Sequence, residues 1–293
     1  VSALPEVRPT SGRFGVTADD NPVGGRIPVR GIAGDHQAAL FAQACFTPGM
    51  TKNTYGTGSF VLMNIGGDCP EPVDGLLTTV AWAFAGDDGA LSPTYALEGA
   101  IFVTGAAVQW LRDGLEIIAD AAETEPLALS CDDTGGVFLV PAFTGLGSPW
   151  WDPYARGAIV GITRGTTRAH LARAVVESMA YQTRDVVDAM CAVSGRDVAE
   201  VRVDGGASTM DLLLQLQADQ LKVPVARPEI LETTALGAAY LAGLAEGVWS
   251  STDELAEHWA LDRCVQPSGD PAVADTAHAQ WLRAVERSRD WAR

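Results

Sequence analysis

Short β-branched runs alternate with longer helical stretches along almost the whole of this chain, and Gly, Pro and Asp-Gly pairs mark the breaks. Such a chain buries both kinds of element only by layering helices on a sheet. The pattern predicts an α/β domain with a mixed sheet flanked by helices. Strands are expected within 54–65 (two, about a Gly turn), 76–84, 91–97, 136–140, 158–160, 200–203 and 223–225, after a lead-in at Ile27-Pro28-Val29. Helices are expected from His36 to Cys45, from Ile101 to Ala122, from His170 to Val193 behind a Thr166-Thr167 cap, from Met210 to Leu221, and from Thr233 to Glu246. In the second of these, Val103, Ala107, Trp110 and Leu111 share one face at helical spacing. Gly86-Asp87-Asp88-Gly89 reads as a hairpin turn. Residues 1–30 read as loops and short extended pieces, and the tail from Ser250 as helical segments without a motif.

Charge and cysteine usage bound the function classes. Twenty basic against 37 acidic residues give a net charge of −17, a surface that repels nucleic acid and anionic membranes. A phosphate pocket is local and made largely of backbone N–H groups, so this charge does not argue against a nucleotide. No apolar run has the length of a membrane span. The five cysteines, at 45, 69, 131, 191 and 264, contain no C-x-x-C spacing. Neither a disulfide framework nor a metal site is expected, and a cytoplasmic location is. The opening Val1-Ser2-Ala3-Leu4-Pro5 lacks the basic head and apolar core of a signal peptide, and lacks an initiator Met. The chain is therefore expected to begin after processing or in mid-protein.

Three turns carry chemistry. Asp35 stands where the Gly31-Ile32-Ala33-Gly34 turn meets a helix start. It is either a helix cap or a base. A helix N-terminus favours an ionised carboxylate, and phosphoryl transfer to an alcohol needs a group that positions the hydroxyl and accepts its proton. Tyr55-Gly56-Thr57-Gly58-Ser59 is either an ordinary hairpin turn or a phosphate cradle, with two glycines for close backbone approach and two hydroxyls. Val201-Arg202-Val203-Asp204-Gly205-Gly206 is either a tight strand-to-helix turn or a place where a flat ligand lies against backbone. No Walker A string and no Rossmann glycine fingerprint is present.

In this order, the three turns resemble the second half of the sugar kinase, Hsp70 and actin superfamily, with its ribonuclease H-like fold. Gly157-Ala158-Ile159-Val160-Gly161-Ile162, followed by His170-Leu171 and Ala174-Val175-Val176-Glu177, resembles the carboxyl-terminal signature of the FGGY carbohydrate kinases. Within that family, four strings resemble its glycerol-phosphorylating members: Thr51 to Gly58, Tyr95 to Ala100, Phe143 to Gly157 and Thr234 to Gly243. The resemblance runs from about Leu4 to about Leu255.

It implies ATP-dependent phosphorylation of glycerol with magnesium. Asp35 would be the general base and, with His36 and Phe60, the glycerol site. His36 departs from the family's usual Gln. Thr57, Gly105, Gln109, Gly206 and Met210 would contact the nucleotide, and Met210 replaces an Asn, so it can only pack. Gly24 and Arg26 stand in a shortened version of a loop that binds fructose 1,6-bisphosphate in some members. The family's further domain, roughly 200 residues with an Asp-x-Gly-Thr phosphate loop, has no counterpart in this sequence. Residues 1–45 would be the tail of that domain, and 46–293 the carboxyl-terminal nucleotide-binding domain. A half-site of this kind is expected to bind ATP or ADP weakly and to phosphorylate nothing alone. Two alternatives stay open: a kinase of another polyol or sugar, and a non-catalytic nucleotide-binding module. The family's habit of assembling as dimers or tetramers makes a homo-oligomer a candidate.

Overall fold

A computed structural model describes residues 3–86 and 88–293. The chain's first two residues and Asp87 of the expected hairpin lie outside the described part. The body is a seven-stranded mixed sheet. Its strands are β3 (Thr51–Tyr55), β4 (Ser59–Gly66), β5 (Leu77–Ala85), β6 (Leu91–Ile101), β9 (Val201–Asp204), β10 (Val225–Pro228) and β11 (Leu261–Val265), in the spatial order β11-β10-β9-β3-β4-β6-β5. β3, β9 and β10 run parallel; every other pair is antiparallel.

Helices cover both faces. The 27-residue α4 (Arg168–Ser194) and α5 (Asp211–Leu221) pack on one face with Val61, Met63, Leu97 and Val203. α1 (Asp35–Ala42) and α6 (Thr233–Ala245) pack on the other with Leu62, Ala81 and Ala96. Neighbouring strand residues point to opposite faces, so Leu62 meets α1 while Val61 and Met63 meet α4. α1 and α6 touch backbone to backbone, because a Cβ on Gly237 would run into the Ala38 carbonyl. The hairpin of β1 (Ser11–Val16) and β2 (Pro28–Gly31) lies against α6. A third cluster joins the separate pair β7 (Phe138–Val140) and β8 (Ala158–Val160) to α8 (Pro271–Ser288), where Trp281 is 1% exposed.

The expected helix over 101–122 is not formed. β6 continues to Ile101 because Ile101 pairs with Ser59 of β4. α2 then covers only Gly105–Gln109, a π-helical turn spans Trp110–Gly114, and α3 is Thr124–Ala128. Gly114 ends the run: it lies against the Trp110 indole, where a Cβ would come within 2.6 Å. Val103 precedes α2, so the four-residue apolar face is not a helical face. Smaller differences follow the same logic of pairing. The strand expected at 223–225 forms at Val225–Pro228 against Val201 and Val265, and the tail contains β11 as well as α7 (Thr252–Glu257) and α8. Met210 is extended and precedes α5.

Candidate functional site

β3 and β9 are adjacent and parallel, with Thr54 opposite Asp204. Their carboxyl ends therefore deliver two turns side by side, the position where open α/β sheets leave a crevice. The β3–β4 hairpin gives Tyr55, Gly56 and Thr57; the turn after β9 gives Gly206, Ala207, Thr209 and Met210; α2 gives Gly105, Val108 and Gln109. Together with Arg112, Ala121, Ala122 and Glu125 they line one cavity of about 510 Å³, large enough for a small cofactor or nucleotide. All five residues expected to meet the nucleotide face this space.

Hydrogen bonds fix the hairpin. Gly105 N donates to Gly56 O (3.0 Å), while Thr104 N and Ala106 N donate to Thr57 O (2.9 and 3.0 Å). The first N–H groups of α2 are thereby used to hold the turn. Gly105 is required by this packing, since a Cβ would lie 2.6 Å from Gly56 O. Gly205, with φ +83°, leaves a Cβ no room beside the Tyr55 carbonyl. Gly206 differs: a Cβ there meets nothing within 4 Å, so its bare backbone opens into the cavity. Sequence reading missed Glu125, whose Oε1 accepts from Leu212 N at 2.7 Å and anchors the start of α5. An acid 87 residues from the backbone N–H that it caps leaves no local signal.

Asp35, His36 and Phe60 form a second cluster. Gly34 occupies the N-cap of α1, so Asp35 is not the cap; among the described residues its Oδ1 accepts only the neighbouring His36 N (3.0 Å), and its side chain is 74% exposed. The His36 ring stacks on Phe60, with centroids 3.7 Å apart and planes at 25°. Its Nε2 lies 3.6 Å from Asp35 Oδ2, and its Nδ1 lies 2.9 Å from Glu98 Oε1. Glu98 is a further residue that sequence reading assigned no role.

Beneath both clusters, the sheet face toward α1 is polar where a core would be expected. Lys52, Glu98 and Asp204 are at most 8% exposed. Burial lowers the Lys52 ammonium below its ordinary range, against the attraction of Asp204 and Glu98. Burial likewise raises the Asp204 carboxyl, against the pull of Lys52. Lys52 Nζ donates to Thr54 Oγ1 (2.8 Å), and Gln43 Nε2 donates to Asp204 Oδ2 (2.6 Å). The Trp259 indole donates to Gln43 Oε1 (2.9 Å). This network ties the strand ends below both turns to the end of α1.

Gly24 and Arg26 join neither cluster. They occupy the exposed tip of the β1–β2 hairpin, where Arg26 lies 3.9 Å from Asp19. A wider cavity of about 660 Å³ lies among α4, α5 and α8. Its acids already have partners: Glu177 takes Arg173 and the Tyr181 hydroxyl, and Asp219 takes the N–H groups of Ser268 and Gly269.

The model for the FGGY family of carbohydrate kinases, C-terminal domain, matches residues 51–246. A protein named glycerol kinase 2 from Thermotoga maritima is 59% identical over 98% of this chain and 57% of its own length. The glycerol kinase of Deinococcus radiodurans is 54% identical over 99% of this chain and 57% of its own length. Among solved structures, the glycerol kinase of Plasmodium falciparum with ADP superposes with a TM-score of 0.88, at 35% identity, over 98% of this chain and 56% of that one. A xylulose kinase from Brucella ovis, at 22% identity and a TM-score of 0.79 over 96% of this chain and 56% of its own, shares the fold. The chain thus spans a little over half the length of the curated relatives that it matches.

Proposed function

The chain belongs to the FGGY family of carbohydrate kinases, and on that footing we propose that it is the nucleotide-binding part of a glycerol kinase. The whole enzyme would transfer the γ-phosphoryl group of ATP to glycerol, giving glycerol 3-phosphate and ADP. The observation that carries the reading is the convergence of Thr57, Gly105, Gln109, Gly206 and Met210, from three distant stretches of sequence, on one cavity. Gly206 opens into that cavity with no packing reason to be glycine. The named relatives point the same way.

In this proposal Asp35 orients one glycerol hydroxyl and takes its proton as the oxygen bonds to phosphorus and the bond to the ADP oxygen breaks. Phe60 covers the carbon edge of the polyol, and His36 contacts a second hydroxyl. The Thr57 hydroxyl and the hairpin backbone meet phosphate. Among the described residues no group of three or more His, Cys, Asp or Glu side chains could hold a metal. A magnesium ion carried by phosphates needs only one or two carboxylates besides them, and the exposed Asp35 would supply one. When bound, the ion neutralises charge on the phosphates. The same reading makes glycerol and ATP or ADP the partners, the cytoplasm the location and a homo-oligomer the candidate assembly. Among the described residues no helix is long and apolar enough to cross a membrane. In the same proposal residues 1–45 are the tail of the amino-terminal domain and 46–293 the carboxyl-terminal nucleotide-binding domain, with α1 sharing a core with α6.

Replacing Asp35 by Asn in the enzyme with its remaining half present tests this. The expected loss in kcat is about 10²- to 10⁴-fold, and unchanged turnover would overturn the proposal. His36 in place of an amide favours one second reading, a different polyol as substrate; the same assay over a panel of polyols decides it. Titration with fructose 1,6-bisphosphate tests whether Gly24 and Arg26 bind a regulator.

A further inference from the structure

We infer that Glu98 is a positioning residue for substrate: it holds the proton of His36 on Nδ1, so that the imidazole presents Nε2 to the polyol as a hydrogen-bond acceptor. This rests on the reading of Asp35 and His36 as the polyol end of the site.

On β6, Leu97 joins the core beneath α4, while Ala96 joins the core beneath α1. Glu98, two residues from Ala96, therefore faces α1 from the interior of the sheet, with its side chain 10% exposed. A carboxylate so placed is costly unless it is hydrogen-bonded. Its hydrogen-bond partner among the described residues is His36, at 2.9 Å. The ring cannot turn freely away, because it lies flat on Phe60.

The chemistry follows from what each group can do. An ionised carboxylate only accepts, so Nδ1 must carry hydrogen. In neutral imidazole the other nitrogen is then bare, and the partner of one nitrogen sets the role of the other. Nε2 lies 3.6 Å from Asp35 Oδ2, too far for a hydrogen bond between them. Both atoms are thus left as acceptors on one side of the ring, matched to two hydroxyls that both donate. A glutamine at position 36 would offer a donor as well as an acceptor, so this chain would read its polyol by a narrower rule. The charged groups facing the ring are Asp35 on its own helix and Glu98 from β6, while Lys52 from β3 acts on both carboxylates. Phe60 from β4 and the Gln37–Thr79 pair toward β5 are neutral.

Two measurements test this. Long-range ¹H–¹⁵N spectra of the ¹⁵N-histidine-labelled chain at neutral pH distinguish the two tautomers. His36 is expected as Nδ1–H in the parent and as a mixture of the two tautomers in Glu98→Ala. An Nε2–H signal in the parent overturns the inference, whatever the variants do. In the whole enzyme, Glu98→Ala should raise KM for glycerol about tenfold with kcat changed less than about twofold. In a His36→Gln background the same substitution should change KM little. An equal effect in both backgrounds would make Glu98 merely structural and overturn the inference. The histidine spectrum stands apart from turnover, so it separates this failure from the failure of Asp35 as base.

Discussion

Gly205 and Gly206 are adjacent glycines held for opposite reasons. At Gly205 the left-handed backbone and the nearby Tyr55 carbonyl exclude any side chain. At Gly206 the protein leaves the space open. Gly205→Ala is therefore expected to destabilise the fold by about 2 kcal/mol or more. Gly206→Val should leave the denaturation midpoint almost unmoved and weaken ADP binding about tenfold or more. Denaturant melts and nucleotide titrations of the two variants read the difference directly. A matched loss of stability in both would remove the argument that Gly206 faces a ligand. The sequence marks this pair as a turn without saying which glycine serves the chain and which the cavity, because that depends on a strand about 150 residues away. Glu98, Lys52 and Asp204 are illegible for a related reason. Each is an acid or base inside a strand, and only the successive pairing of β9, β3, β4 and β6 puts them on the face under α1.

At the level of elements, α8 shows how a distant helix is fixed to the core. Asp185 of α4 accepts from His278 (2.7 Å) and from the Trp281 indole (2.8 Å), and burial raises its carboxyl above the usual range. One turn earlier in the helix, Asp275 meets Lys222 (2.7 Å) and Arg184 (2.6 Å), and these hydrogen bonds hold its carboxyl down at about 2. The unfolded chain takes up that proton first, near pH 4. The contribution is therefore complete above that pH and fades as pH falls toward 2. Asp275→Asn should lower the urea midpoint at pH 6, and the gap from the parent should narrow at pH 3. A gap independent of pH would assign the effect to packing. Elements with a clear local signal, such as α4 with its amphipathic length and the Ala-rich α6, are legible in the residue pattern itself. The 101–122 stretch is not, because its composition suits a helix while its first residues pair with β4 and Gly114 seats itself on Trp110. Tertiary contacts override local preference there.

Across the whole molecule, the layered α/β class is readable from alternation alone, but the strand order is not. β3 lies beside β9 through a connection that contains three other sheet strands and α4, and no local period encodes such a neighbour. That long-range pairing also brings every expected nucleotide contact into this one chain. Asp35 lies exposed at the start of α1, while His36, its side chain 23% exposed, stacks on Phe60 of the same hairpin's second strand. The asymmetry predicts a separation of binding from chemistry. Under the proposal, the adenine side of the nucleotide and the Thr57 hairpin contact need only walls that this chain possesses. In-line transfer needs a closed, water-excluding cleft, and Asp35 at 74% exposure is not in one. The 293-residue chain should therefore bind ADP by calorimetry with a Kd on the order of 0.1–1 mM, and bind it more weakly as Gly206→Val. It should produce no glycerol 3-phosphate above background at any ATP concentration. Turnover by this chain alone would mean that the hairpin, the glycine turn and Asp35 already assemble a complete active site. Failure to bind ADP would mean that the cavity acquires its shape only when the rest of the enzyme closes on it.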